Sequence, residues 1–212
     1  MMKNPLTQSR LTAILAGVCL LVPFVYADSD FGNLASIEQV GNNYQATIRQ
    51  SGDSNTAHIR QITASAELGN GTAGIKQTGN QHTAAINDFG NSNEITVHQS
   101  QSDDNALVNL EGNNNQVDVN QNGIGQNLIA NLNGNNNELL ATQQGNDNRA
   151  DVGMNGNDNG VWVSQLGDNN IALVDVHGNN NNVSVSQNGD AFVGFGIISG
   201  NNTNMSVTQN KL

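Results

Sequence analysis

From Asn115 to Leu212 the chain falls into rows of eleven residues, starting at Asn115, Gln126, Asn137, Asn148, Asn159, Asn170, Asn181, Phe192 and Thr203, with no insertion or deletion. Gly123, Gly134, Gly145, Gly156, Gly167, Gly178, Gly189 and Gly200 all take the ninth position. A period this short marks a solenoid, whose units cannot bury an apolar face alone and must stack on their neighbours. Position 3 is small or aliphatic in Val117, Leu128, Leu139, Ala150, Val161, Ala172 and Val183, and position 5 is Val or Ala in most rows, with polar residues between. Alternation at period two describes a strand with one buried face, and the Gly-Asn-Asn punctuation after it is a turn.

Position 7 carries a second period. It reads Gln99, Leu110, Gln121, Leu132, Gln143, Met154, Gln165, Val176, Gln187, Ile198, Gln209, so glutamine returns every 22 residues with an apolar residue halfway. The repeat is therefore two strands and two turns. The expected fold is all-β, a two-sheet β-solenoid with a file of glutamines on one sheet and a file of aliphatic groups on the other. Each coil adds one strand spacing, about 4.8 Å, to the stack.

Composition agrees with a stack and argues against a conventional core, since aromatics are 4% while the chain holds 39 Asn and 23 Gly. Low hydrophobicity with a net charge of −11 also suits a disordered chain. Apolar residues locked to fixed positions argue for order. Residues 1–27 read as a secretory signal: Lys3 and Arg10 precede the apolar run Leu11 to Phe24, which ends in Val25-Tyr26-Ala27, a small-x-small cleavage pattern. The mature chain then begins at Asp28. Cys19, the only cysteine, lies in that run, and Val18 before it does not suit a lipoprotein signal. Without the signal, five Lys and Arg face 18 acidic residues, a net charge of −13 that disfavours nucleic acid as a partner.

After a short leader, residues 28–32, the same unit starts at Asn33, Tyr44 and Asn55, giving three units over residues 33–65. Residues 66–70 are a five-residue insertion, read as a looped-out turn, and the register resumes at Gly71 through 212. Sixteen 11-residue strand-turn units make about eight 22-residue coils and a stack roughly 35 to 40 Å tall.

The early rows, Gln39-x-Gly41-x-x-Tyr44-x-Ala46-x-x-x-Gln50-x-Gly52-x-x-Asn55-x-Ala57-x-x-x-Gln61, resemble the curlin repeat, Gln-x-Gly-x-x-Asn-x-Ala-x-x-x-Gln, of bacterial curli fibre subunits. The resemblance implies a secreted subunit, at the cell surface of a Gram-negative bacterium, that assembles into extracellular amyloid fibres of the biofilm matrix. It implies partners as well: other copies in a head-to-tail homopolymer, a second curlin-like subunit as nucleator, and an outer-membrane secretion pore. Two features depart from the curlin pattern, namely the larger number of units and a polar leader of only about five residues before the repeats.

The glutamines at position 7 (Gln39, Gln50, Gln61, Gln77, Gln99, Gln121, Gln143, Gln165, Gln187 and Gln209) are the candidate stacking ladder. A buried amide above an identical amide can donate to one neighbour and accept from the other, for a net gain of about 1 kcal/mol per bond. The alternative is that they only border the apolar file of a monomeric solenoid. Asn33, Asn55, Asn93, Asn115, Asn137, Asn148, Asn159, Asn170 and Asn181 recur at position 1 and are expected to shape the corner, because Asn tolerates left-handed backbone and bonds to turns. His58, His82, His98 and His177 fall at four different positions and are expected at the surface, with no metal-ligand spacing. The turn carboxylates Asp53, Asp103, Asp147, Asp158, Asp168 and Asp190 lack the Gly-Gly-x-Gly-x-Asp calcium pattern. No catalytic constellation and no cofactor motif emerges.

Arg49, Arg60 and Lys76 share position 6, an outward position, in early units, and Glu38 lies one coil from Arg60 on the same sheet. In the late row Phe192-Val-Gly-Phe-Gly-Ile-Ile-Ser-Gly200, an unbroken register puts Gly194 and Gly196 inside and Val193, Phe195 and Ile197 outside. These three form a candidate docking stripe, unless a bulge turns them inward as core. The sequence thus supports a structural fibre subunit. The other reading it leaves open is a monomeric extracellular β-solenoid that binds a carbohydrate or a surface, as an adhesin would.

Overall fold

The computed structural model describes residues 10–16, 24–27, 32–63 and 70–211. Two strands lie within the segment read as a signal, β1 (Arg10–Ala16) and β2 (Phe24–Ala27). The repeats supply β3 (Leu34–Val40), β4 (Gln45–Ser51), β5 (Thr56–Ile62), β6 (Thr72–Asn80), β7 (Thr83–Phe89), β8 (Glu94–Ser102), β9 (Asn105–Glu111) and β10 (Gln116–Ile124). They continue with β11 (Asn127–Asn133), β12 (Glu138–Asn146), β13 (Arg149–Asn155), β14 (Gly160–Leu166), β15 (Ile171–His177), β16 (Asn182–Asn188), β17 (Val193–Ser199) and β18 (Asn204–Asn210). Odd-numbered strands form one nine-stranded sheet and even-numbered strands the other, with chain order equal to spatial order. Neighbours pair in parallel, as Val117 with Leu139 and Gln121 with Gln99. The protein is a two-sheet parallel β-solenoid whose repeat strands, β3 to β18, make eight coils of about 22 residues.

The alternation in sequence is the reason. Positions 3 and 5 of strands β3 to β16 bury Ala, Ile, Val or Leu against the opposite sheet, while positions 2, 4 and 6 mostly face out, as in the eBiBiBe burial of β9 and β13. The β-branched and aliphatic groups form one continuous core between the sheets. At the turns, position 11 and not position 1 takes the left-handed backbone: Asn114, Asn136, Asp158 and Asn180 have φ of 57°, 56°, 57° and 55°. Glycine at position 9 answers a close approach. A Cβ on Gly134, where φ is 135°, would lie 1.8 Å from the carbonyl oxygen of Gly156 in the next coil. The turns also stack by backbone bonds, with the Gly134 N–H donating to Glu111 O at 2.9 Å and the Asn136 N–H to Asn113 O at 3.0 Å.

Residues 64–69 lie outside the described residues, and with them most of the five-residue insertion expected at 66–70. Around it the stack is continuous. Gln45 pairs with Thr72 and Thr56 with Thr83, so the first three units are bonded to the coils that follow and do not form a separate arm.

The register also holds in the last odd strand. Gly194 and Gly196 are buried, while Val193, Phe195 and Ile197 are 45%, 54% and 60% exposed, as the stripe reading expects. The glycines are needed because the even sheet leans into their place: a Cβ on Gly196 would sit 2.6 Å from Val183 Cγ1, and one on Gly194 3.0 Å from Val185 Cγ1. The two sheets close together in this coil.

Candidate functional site

Within the core the even sheet presents a single unbroken file at position 7. Gln50 Nε2 donates to Gln77 Oε1, Gln77 to Gln99, Gln99 to Gln121 and Gln121 to Gln143, each at 2.9 Å. Gln143 donates to Gln165 at 2.8 Å, Gln165 to Gln187 at 2.9 Å and Gln187 to Gln209 at 2.9 Å. The second amide hydrogen crosses to the other sheet, where it meets a position-2 carbonyl: Gln77 to Thr56 O, Gln121 to Asn105 O, Gln165 to Arg149 O. Each glutamine therefore ties coil to coil and sheet to sheet. Apart from the terminal Gln209, the file is buried, and its donors are spent, which is what makes an interior amide tolerable.

The candidate ladder thus divides in two. Gln39 and Gln61 belong to the odd sheet, where Gln39 Nε2 donates to Gln61 Oε1 at 2.9 Å and Gln61 Nε2 to Asp88 Oδ2 at 3.3 Å. Asp88 ends the file, since beyond it come Leu110, Leu132, Met154, Val176 and Ile198. Its other oxygen accepts from Asn93 Nδ2 at 2.6 Å, so the carboxyl serves two donors, and burial pushes its pKa up to about 6. Beside it Tyr44 is buried, its hydroxyl donating to Gly90 O, and burial together with the nearby Asp88 pushes that phenol up to about 12.

The asparagines at position 1 do something other than hold left-handed backbone. All nine are buried. On the even side, Asn115 Oδ1 accepts the backbone N–H of Asn137 at 2.9 Å, and Asn115 Nδ2 donates to Gly134 O at 2.9 Å; Asn137 repeats this toward Asn159 and Gly156. The amide replaces, inside the corner, the backbone partners that the bend takes away from the sheet. On the odd side, other residues keep the acceptor going. His82 N–H donates to Asn55 Oδ1 at 3.0 Å, Asp104 N–H to His82 Nδ1 at 3.3 Å, Gln126 N–H to Asp104 Oδ1 at 3.0 Å and Asn148 N–H to Gln126 Oε1 at 3.2 Å. His82 is thus fully buried, against the surface position expected for it. With Nδ1 accepting, the proton belongs on Nε2, 3.3 Å from Thr78 O, and burial lowers the imidazole pKa. Burial pushes Asp104 up to about 7, and its Oδ2, 3.4 Å from His82 Nδ1, has no hydrogen-bond partner among the described residues.

Outside, Arg60 Nε meets Glu38 Oε2 at 3.0 Å, as expected, and its guanidinium lies 5.4 Å from the Phe89 ring centre. A file that the sequence did not announce runs from half-buried Asn87 and Asn109 to exposed Asn131, with amide bonds of 2.9 Å on the outer face of the odd sheet. No group of three or more His, Asp or Glu able to hold a metal occurs among the described residues.

Two facing parallel sheets, with amide files inside and stacked turns outside, define a β-solenoid repeat protein. The curlin associated repeat model matches residues 32–62, 70–100, 134–167 and 156–189, more than half of the chain, so the protein belongs to the curlin repeat family. The match lapses over residues 101–133, where Gln101 takes the glycine position and Asp104 and Gln126 take the asparagine position. No curated protein and no solved structure matches the chain significantly.

Replacing Gln121, Gln143 and Gln165 together by Glu stacks three carboxylates in the core, where they repel and lose solvation, while Leu at the same positions loses bonds but packs. The Glu triple variant should melt well below the Leu triple variant at neutral pH. A Glu variant as stable as the parent would place position 7 outside. A second expectation concerns Asp104. Its folded pKa, about 7, lies above the ordinary 3.8, so folding favours the protonated form. That contribution is full below about pH 4 and is lost as the pH rises toward about 7. Asp104→Asn restores a neutral amide, so it should stabilise the chain on the order of 2 kcal/mol at about pH 8 and hardly at all at about pH 4. Thermal melts of variant and parent across this range measure the gap, and a gap independent of pH would contradict the burial of an ionisable Asp104.

Proposed function

We propose that the protein is an exported structural subunit that polymerises head to tail into extracellular, curli-like amyloid fibres of the biofilm matrix, serving adhesion and aggregation and catalysing no reaction. The observation that carries this reading is the polarity of the glutamine file. Every Nε2 donates toward the C-terminal coil, so the file has an acceptor at one end and a donor at the other. At the N-terminal end Gln50 Oε1 is buried and has no hydrogen-bond partner among the described residues. At the C-terminal end Gln209 Nε2 donates to Val193 O at 3.0 Å and keeps a second N–H.

Placing β18 of one molecule beside β4 of the next joins Gln209 to Gln50 in the register used inside the chain. The same step sets β17 beside β3, bringing Val193, 45% exposed, next to Leu34, 43% exposed. Ile198 then faces Gln39, so the odd sheet gains no amide pair and the even sheet carries the register. Residues 1–27 act as the signal, and their removal takes β1 and β2 off the edges of β3 and β4. Open edges of this kind template another strand. Further partners on this reading are a second curlin-like subunit as nucleator and an outer-membrane pore for export.

Fibre diffraction and electron microscopy of the purified chain beginning at Asp28 should show fibrils with the strand spacing of about 4.8 Å along the axis. Gln209→Leu should slow elongation far more than it lowers the melting temperature of the monomer, because Gln209 is only half-buried and ends the file, with no glutamine beyond it in the single molecule. Protein that stays monomeric at micromolar concentration, with no cross-β pattern, would overturn the fibre reading in favour of a monomeric binding solenoid.

A further inference from the structure

The outer face of the even sheet carries one file of basic side chains. Position 6 reads Arg49, Lys76 and His98 in β4, β6 and β8, paired strand to strand, before it turns neutral at Asn120. Among the described residues Arg60, Arg149 and Lys211 each meet a carboxylate, on Glu38, Asp151 and Asp190. Arg49 and Lys76 meet none, although the chain carries 18 acidic residues. Both are exposed. Like charges in register on adjacent strands repel, so an unneutralised file has a cost that a single Glu at either position would remove. Burial, and after it the charge of Lys76, lower the imidazole pKa of His98 against the opposing pull of Asp118, so the fixed charges of the file are Arg49 and Lys76.

The surroundings suit a long ligand. Next to the cations run Ser51, Thr78 and Ser100 at position 8, and on the other side Thr47, Gly74 and Thr96 at position 4. Beside Lys76 the surface is open, for a Cβ on Gly74 would touch nothing. A groove of 260 Å³ continues from the Lys76 end of the file toward the C-terminal coils, lined by Lys76, Thr78, His98, Ser100, Asn120 and Asn122 among others, while Arg49 stands outside it. Glu94 and Asp118 bound the strip at its C-terminal end.

We infer that this file is a binding strip for an anionic polysaccharide of uronic-acid type, lying along the solenoid axis with one carboxylate at Arg49 and the next at Lys76. The cations recur about 4.8 Å apart, close to the advance per sugar of an extended uronan, and the flanking hydroxyls and amides match the sugar hydroxyls. Nucleic acid fits less well. Its phosphates meet the same cations, but the rest of the chain is acidic and no exposed aromatic group stands beside the file in β4, β6 or β8 to stack on a base. One subunit offers few contacts, so affinity comes from the repetition of the strip along the polymer or of charge along the ligand.

The test is titration of the purified chain with oligogalacturonate, followed by calorimetry for soluble protein and by co-sedimentation for fibres, so that its outcome does not depend on assembly. Binding at low salt should weaken steeply as salt rises, because the contacts are exposed. The double variant Arg49→Gln with Lys76→Gln should lose at least about ten-fold in affinity, whereas Arg149→Gln with Lys211→Gln should change it less than about two-fold. Equal binding of a neutral maltooligosaccharide would overturn the inference. So would undiminished binding by the Arg49 and Lys76 variant with an unaltered melt, binding of DNA without binding of oligogalacturonate, or no binding of oligogalacturonate at low salt.

Discussion

In a parallel solenoid every side chain lies above and below its counterpart one coil away, and this like-on-like stacking governs which residues the interior can hold. An aliphatic group packs on itself. An amide can do better, because it carries both a donor and an acceptor and so bonds to its own copy, as from Gln50 to Gln209. A charge cannot, since identical charges at strand spacing repel in a medium that screens them poorly. The interior accordingly holds glutamine and asparagine in files, whereas among the described residues its ionisable groups, Tyr44, Asp88, His82 and Asp104, never stack on a copy of themselves, and burial drives each of these toward its neutral form.

The same rule gives the molecule a direction. An amide file donates one way, so its two ends differ chemically, and the ends of the stack complement each other where the file is complete. The even sheet meets this condition. The odd sheet does not, because Asp88 takes the donor of Gln61 and returns none, after which leucine, methionine, valine and isoleucine fill position 7. One sheet therefore specifies register by hydrogen bonds while the other contributes mainly apolar burial, and the glutamines couple the two through their second hydrogen to the opposite backbone.

Much of this was legible in the sequence because a short period exposes each position many times over. The alternation at positions 3 and 5 identified the strands, and the 22-residue return of glutamine identified two sheets. The glycines at 194 and 196 even announced the outward stripe at Val193, Phe195 and Ile197. Three features were harder to read. Asparagine at position 1 suggested left-handed backbone, yet that conformation falls two residues after the glycine, at Asn114 or Asn136, where Asp158 and Ser54 also serve. Periodicity gives the spacing of a turn but not which of its residues bends. Gln39 and Gln61 seemed to belong to one ladder with Gln50, since parity of the row, and not identity, decides the sheet. Finally, His82 suggested a surface position and nothing marked Asp104 or Gln126 at position 1, although an imidazole nitrogen, a carboxyl oxygen and a longer amide can each accept the same backbone N–H. Substitution by function, rather than by residue type, leaves no trace in a column of letters.

The claim on which the rest depends is that the amides are interior and bonded coil to coil. Hydrogen–deuterium exchange of side-chain amides, resolved by NMR, reports on it directly. The Nε2 protons of Gln121, Gln143 and Gln165 and the Nδ2 protons of Asn137 and Asn159 should exchange at least about a hundredfold more slowly than those of exposed Asn188 and Asn210, because they open only with the stack. Exchange of both sets at the same rate would contradict the account.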